Sequence, residues 1–358
     1  MSAPAIPVHL LTGFLGSGKT TLLARLLRDP ALARTAVIVN EFGEVGLDHL
    51  LVEASDEEIV LLDSGCICCS VRGDLVRTAG DLLARRAAGA IAPFERIVIE
   101  TTGLADPAPI LQALMTDPAI ADALCLESVI ATVDAAAGAA TLDAHPESVK
   151  QAAIADRIVV TKTDLSDPAV NGLFERLRSL NPAAPKLTSV NGAVDASRLF
   201  GGALHDARGP GVRRWLAAEA VPHDPADHGR NHAAARHGGG VTSFCLRRSA
   251  PLHAVTLTLF LQVLAEHCGA RLLRLKGLVD VLESPGRPAV IHGVQHVFHP
   301  PAWLDAWPDE DRTTRVVVIA LGLDPLWMDA LLDALDFEVT ALQASATAAA
   351  GGSTVREE

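Results

Sequence analysis

No stretch of about 20 uninterrupted apolar residues occurs in this sequence, so a membrane-spanning helix is not expected. Positive charge is scarce: 30 Lys and Arg stand against 43 Asp and Glu, a formal net charge of −13. Non-specific nucleic-acid binding needs a basic surface, and this balance argues against it. The first residues, MSAPAIPVHLLTG, lack the basic and apolar regions of a signal peptide, so a cytoplasmic protein is expected. Internal repeats are missing too. Cysteine is sparse outside one cluster. Cys125, Cys245 and Cys268 stand alone in apolar surroundings and read as buried small hydrophobes. A chain of 358 residues can form two domains with adequate cores, so no disulfide framework is required.

What is present is ordered. Up to about residue 205, short apolar runs alternate with helical patterns. Candidate strands lie at 8–12, 36–39, 59–62, 96–101, 129–133, 157–161 and 186–190, with helices at 20–27 and 73–86 among them. Continuous apolar strands separated by helices predict a doubly wound, mostly parallel α/β domain. Residues 206–240, rich in Gly, Pro, His and charge, read as a linker or loop. From 241 to 342 strands follow one another with few helices (241–247, 272–282, 289–298, 315–321, helices 252–268 and 325–335), which predicts a smaller α+β domain. Residues 343–358 are small and polar and read as a disordered tail.

The segment after the first strand reads GFLGSGKT, Gly13 to Thr20, and precedes a helix. This is the setting of a phosphate-binding loop, in which glycines let backbone N–H groups wrap phosphate oxygens at a helix N-terminus. The expected nucleotide contacts are Gly13, Gly16, Ser17, Gly18, Lys19, Thr20 and Thr21, with Lys19 on the β- and γ-phosphates and Thr20 on Mg²⁺. A second element, IVIETTG, ends an apolar strand in Glu100, placed to support Mg²⁺, and in Gly103, whose N–H is placed to sense the γ-phosphate. A third, TKTD, sets Asp164 after a strand, where a carboxylate can accept from guanine N1–H and the 2-amino group. The stem of Lys162 can cover the base. An ordinary polar turn is the other reading of TKTD.

Residues 65–69 read GCICC. The thiols Cys66, Cys68 and Cys69 form a soft donor set suited to Zn²⁺, Cu⁺ or Co²⁺. Three ligands leave a tetrahedral site one short, so either a further ligand comes from elsewhere or a position stays open. Glu41, Glu44 and His49, in the segment NEFGEVGLDH, are the candidates. That segment sits where a switch loop belongs, and Asp48 is a candidate for orienting an attacking water. Buried thiols or a redox pair are the alternative for the cysteines. His223, His228, His232 and His237 in the linker read as a solvated stretch rather than a metal site.

Taken together, GFLGSGKT, NEFGEVGLD, GCICC, ETTG and TKTD resemble the CobW-like P-loop GTPases. The likeness extends to LLRLKGLVDV and GVQHVF in the second domain. It implies a GTPase domain followed by a CobW-type α+β domain. It also implies slow hydrolysis of GTP to GDP and phosphate with Mg²⁺, and Zn²⁺ or Co²⁺ bound at Cys66, Cys68 and Cys69. The implied role is a metallochaperone serving a client metalloprotein, with a homodimer possible. By the same resemblance Lys19, Thr20 and Glu100 serve phosphate and Mg²⁺, while Lys162 and Asp164 serve guanine. Glu44 matches a family metal ligand, whereas Val39 stands where relatives can carry an acid. A P-loop ATPase or small-molecule kinase with structural cysteines is the competing expectation.

Overall fold

A computed structural model describes residues 5–40, 61–63, 71–165, 170–200 and 240–352. The chain divides into two compact units, Met1–Val241 and Thr242–Glu358.

The first unit is built on seven strands: β1 (Ile6–Gly13), β2 (Thr35–Asn40), β3 (Leu61–Asp63), β4 (Arg96–Thr101), β5 (Leu124–Asp134), β6 (Arg157–Thr161) and β7 (Lys186–Ser189). They form one sheet in the order β3-β2-β4-β1-β5-β6-β7, and every pairing is parallel. Helices α1 (Lys19–Leu26), α2 (Val71–Ala87), α3 (Ala108–Thr116), α4 (Gly138–Ala144), α5 (Pro146–Ile154), α6 (Val170–Leu180) and α7 (Ala196–Phe200) accompany the strands. Strands such as β6, RIVVT, are continuously apolar at their centre because a parallel sheet of this kind is covered on both faces. One face buries Leu11, Val98, Ile130 and Val159 against Leu22, Leu23 and Leu26 of α1 and Leu199 of α7. On the other face α3 and α5 pack beside β5. All seven expected strands are present. The order reverses around β1, flanked by β4 and β5, and such a reversal opens a crevice at the carboxyl ends of the strands.

The second unit is α+β, as expected. It comprises β8 (Val241–Arg248), α8 (Ala254–Cys268), β9 (Leu272–Val279), β10 (Ala289–Val294), β11 (Val297–Phe298), β12 (Ala302–Trp303), β13 (Thr314–Leu321) and α9 (Pro325–Gly352). The sheet runs β11-β10-β9-β13-β8, with β12 beside β10. Neighbours of β9 and β10 are antiparallel. One face buries Leu246, Leu275, Ile291 and Val318 against Phe260 and Leu264 of α8 and Met328 and Leu332 of α9.

Three details differ from the sequence reading. The run expected as one strand at 289–298 is a hairpin, turning at Gln295, which has φ 54°. The last helix does not stop near residue 335; it continues through Gly352, while residues 353–358 lie outside the described set. Of the three isolated cysteines only Cys268 is buried; Cys125 and Cys245 are half-buried. The expected linker lies outside the described residues except for Gly240. Among the described residues no helix is long and apolar enough to cross a membrane.

Candidate functional site

The carboxyl ends of β1, β4, β5 and β6 converge on one loop. Gly13, Gly16 and Gly18 have φ of 142°, 71° and 87°, a left-handed region that L side chains rarely enter. A Cβ on Gly13 would lie 2.2 Å from Thr132 Oγ1, so this position admits only glycine. Gly18 caps α1 directly, and the loop therefore delivers its backbone N–H groups to a helix N-terminus. That is the arrangement that attracts phosphate.

The polar side chains Ser17, Lys19 and Thr20 of the loop are tied down. Lys19, 5 % exposed, donates to the Gly13 carbonyl at 2.9 Å and to that of Phe14 at 3.2 Å. Ser17 and Thr132 share a hydrogen bond of 2.6 Å. Thr20 donates to Glu100 Oε1 at 2.8 Å, and Glu100 is fully buried at the end of β4. A hydroxyl and a carboxylate oxygen so close form a hard donor pair, which fits Mg²⁺. Thr21 opens outward on α1. Gly103, buried, passes against the loop: a Cβ there would lie 2.5 Å from Leu15 N.

The TKTD segment lies beside this loop. Thr161 donates to Ser17 O at 2.7 Å. Lys162, at φ 56°, reaches Gly16 O at 2.8 Å and Asp134 Oδ2 at 2.6 Å. Asp164 is exposed in a single 3₁₀ turn, Thr163–Leu165. Asp134, missed in the sequence, also accepts from Ala136 N and Ala137 N. Burial alone would push its carboxyl up, but the bonds from Lys162 and these amides hold it below the usual carboxylate range. The signal was available, since Asp134 ends an apolar strand at the carboxyl edge as Glu100 does. Also missed was the turn after β7, where Asn191 and Gly192 have φ of 50° and 75°. Gly192 passes so close to α1 that a Cβ would lie 2.6 Å from Thr21 O. The pairing of Thr161 with Ser189 sets this turn next to the TKTD loop. Its signal was the Asn-Gly dipeptide behind a strand.

Glu41, Glu44, Asp48, His49, Cys66, Cys68 and Cys69 lie outside the described residues, as do the four linker histidines. Among the described residues no group of three or more His, Cys, Asp or Glu is placed to hold a metal. The strands that lead into those segments are described. Val39 of β2 is registered with Asp63, the last residue of β3, on one side and with Glu100 on the other. The chain therefore enters both segments from the sheet edge that carries the phosphate loop.

Comparison with known proteins agrees with this architecture. Residues 7–188 match the CobW/HypB/UreG nucleotide-binding domain, and residues 241–336 match the cobalamin synthesis protein cobW C-terminal domain. The chain is 35 % identical over 318 residues to the zinc chaperone YjiA of Escherichia coli, covering 89 % of this chain and 95 % of that protein. It is 33 % identical over 359 residues to the zinc chaperone CobW of Pseudomonas aeruginosa, covering 89 % and 88 %. The crystal structure of the Zn(II)-bound YjiA GTPase from E. coli superposes with a TM-score of 0.68 at 28 % identity, covering 93 % of this chain and 99 % of that one.

Proposed function

The chain belongs to the CobW/HypB/UreG nucleotide-binding family with a CobW C-terminal domain, and from that premise we propose that it is a GTPase metallochaperone that carries Zn²⁺. In this reading the backbone of Gly13–Thr20 wraps the phosphates of GTP and Lys19 neutralises the β- and γ-phosphates. Thr20 and Glu100 would hold Mg²⁺, which would supply positive charge to offset the charge developing on the phosphate oxygens. Gly103 N–H faces the γ-phosphate and Asp48 orients the attacking water. Water adds to phosphorus and the bond to the β-phosphate oxygen breaks, giving GDP and phosphate. Asp164 accepts from the guanine edge, and the stem of Lys162, anchored on Gly16 and Asp134, lies against the base.

Zinc is the cargo. Cys66, Cys68 and Cys69 supply thiolates and Glu44 an oxygen. A nucleotide that orders residues 40–49 brings these donors together, and hydrolysis releases them to a client metalloprotein. The observation that carries this coupling is the register of β2 between β3 and β4. The segments bearing Glu44 and the cysteines both start at the edge where Glu100 meets Thr20.

The test is a Co²⁺ and Zn²⁺ titration of the full chain with a non-hydrolysable GTP analogue, with GDP and with no nucleotide. Co²⁺ is read by its thiolate charge-transfer band. The analogue should tighten metal binding by about 1–3 kcal/mol, and metal should tighten the analogue by the same factor. Replacing the three cysteines with Ser should abolish the coupling and leave nucleotide binding in place. Identical midpoints in all three nucleotide states would refute the proposal.

A further inference from the structure

Helix α5 touches both loops that meet the phosphates. His145, its N-cap, stacks on Phe14 of the phosphate loop, ring centroids 4.3 Å apart at 27°. Two turns further on, Gln151 is 1 % exposed. Its amide nitrogen donates to the carbonyls of Gly103 at 3.2 Å and Ala105 at 3.0 Å. The neighbouring Lys150 pairs with Asp106 at 2.9 Å. The connection after β4 is thus held to α5 by one buried amide and one surface ion pair.

We infer that Gln151 is a positioning residue for hydrolysis, setting the Gly103 peptide against the phosphate loop. This rests on the reading that Gly103 N–H faces the γ-phosphate. From the α5 side the Gly103 and Ala105 carbonyls are held by the two hydrogen bonds of Gln151, and Gln151 itself borders a cavity of about 40 Å³ together with Leu15, Ser17, Thr132 and Asp134. Both acceptors are backbone carbonyls, so the side chain must present a donor, and an amide does so without burying charge. A displacement of Gly103 of less than an ångström would leave the diphosphate cradle intact, because that cradle is tied to Thr132, Thr161 and Lys162 instead. It would misplace only a donor to the γ-phosphate, which acts when GTP is bound.

The experiment compares the full-length chain with its Gln151→Glu and Gln151→Met variants. Gln151→Glu keeps the size but sets a carboxyl, with at most one O–H, against two carbonyls, and Gln151→Met keeps the volume and loses both bonds. Steady-state phosphate release gives kcat and KM. Titration with a fluorescent GDP gives affinity and the competent fraction. Thermal melting reports folding. The expected result is a fall in kcat of about tenfold to a hundredfold, with GDP affinity and competent fraction held. The preference for a GTP analogue over GDP should shrink. A folded variant with unchanged kcat overturns the inference. So does a parallel loss of kcat and GDP affinity, or failure of both variants to fold, since either makes Gln151 a brace for α5 alone. No phosphate release by the unmodified chain would overturn the GTPase reading itself, and this inference with it.

Discussion

Thr161 gives its hydroxyl to the Ser17 carbonyl at 2.7 Å, so this side chain holds the glycine-rich loop. In the proposed function, discrimination between bases falls on Asp164, exposed and one turn further along. Replacing Asp164 with Asn reverses the match between acceptor and donor. Guanine binding should weaken by about 1–3 kcal/mol, the cost of an unmatched polar edge, and xanthine nucleotides should bind better than before. Competition of GTP, ATP and xanthosine triphosphate against a fluorescent GDP measures this directly. An unmodified chain that binds ATP as well as GTP would show that Asp164 does not read the base. TKTD was legible because a strand and a turn frame it. Gln151 was not, because its partners Gly103 and Ala105 lie 48 and 46 residues away. In the sequence it is one polar residue on a short helix. The role of Thr132 was hidden for the same reason. It is the far end of a contact whose near end is a recognisable motif.

At the level of elements, continuous apolar runs between helices announced the seven parallel strands. The start of β5, ahead of the run expected at 129–133, carried no such signal. In β5 the register with β1 shifts between Val8 and His9, which pair with Leu126 and Ser128. The shift leaves Glu127 as the extra residue of a bulge. His9 bonds Ser128 Oγ at 2.8 Å, lies 3.8 Å from Glu127 and meets Phe200 edge-on. Burial first, then the charges of Arg96 and Arg157, push its imidazole down to about 3, against a smaller opposing effect of Asp156. The unfolded chain takes up the proton near the ordinary value of about 6.5. His9 therefore contributes stability that is complete above that pH and is lost as pH falls toward 3. At pH 5 the loss is about 2 kcal/mol, taking 1.36 kcal/mol for each pH unit below 6.5. In urea unfolding, His9→Asn should be less stable than the unmodified chain at pH 7, and the gap should narrow by roughly that amount at pH 5. A gap independent of pH would show that His9 is not held neutral. The long α9 was also illegible past residue 335. Its Ala-rich end resembles a small-residue tail in composition, yet alanine has the highest helix propensity.

For the whole molecule, the first unit depends on contacts that span most of its own length. Ser17 meets Thr132 across 115 residues and Thr161 across 144. Strand β1 lies between β4 and β5, with Val8 beside Ile97 and Leu10 beside Val129. Strand β1, translated before both of its partners, is therefore among the last to be completed. At about 5–20 residues per second, the ribosome needs roughly 7–30 s to make the chain between Ser17 and Thr161. Until then the glycines of the phosphate loop have no β5 or β6 to hold them in their left-handed turns. A nascent chain arrested with only residues 1–120 emerged should retain no guanine nucleotide, whereas one with residues 1–200 emerged should retain it. Nucleotide held on ribosomes bearing the shorter chain would contradict this. The order of synthesis thus makes nucleotide capture a report that the first unit is finished, available while the second is still being translated.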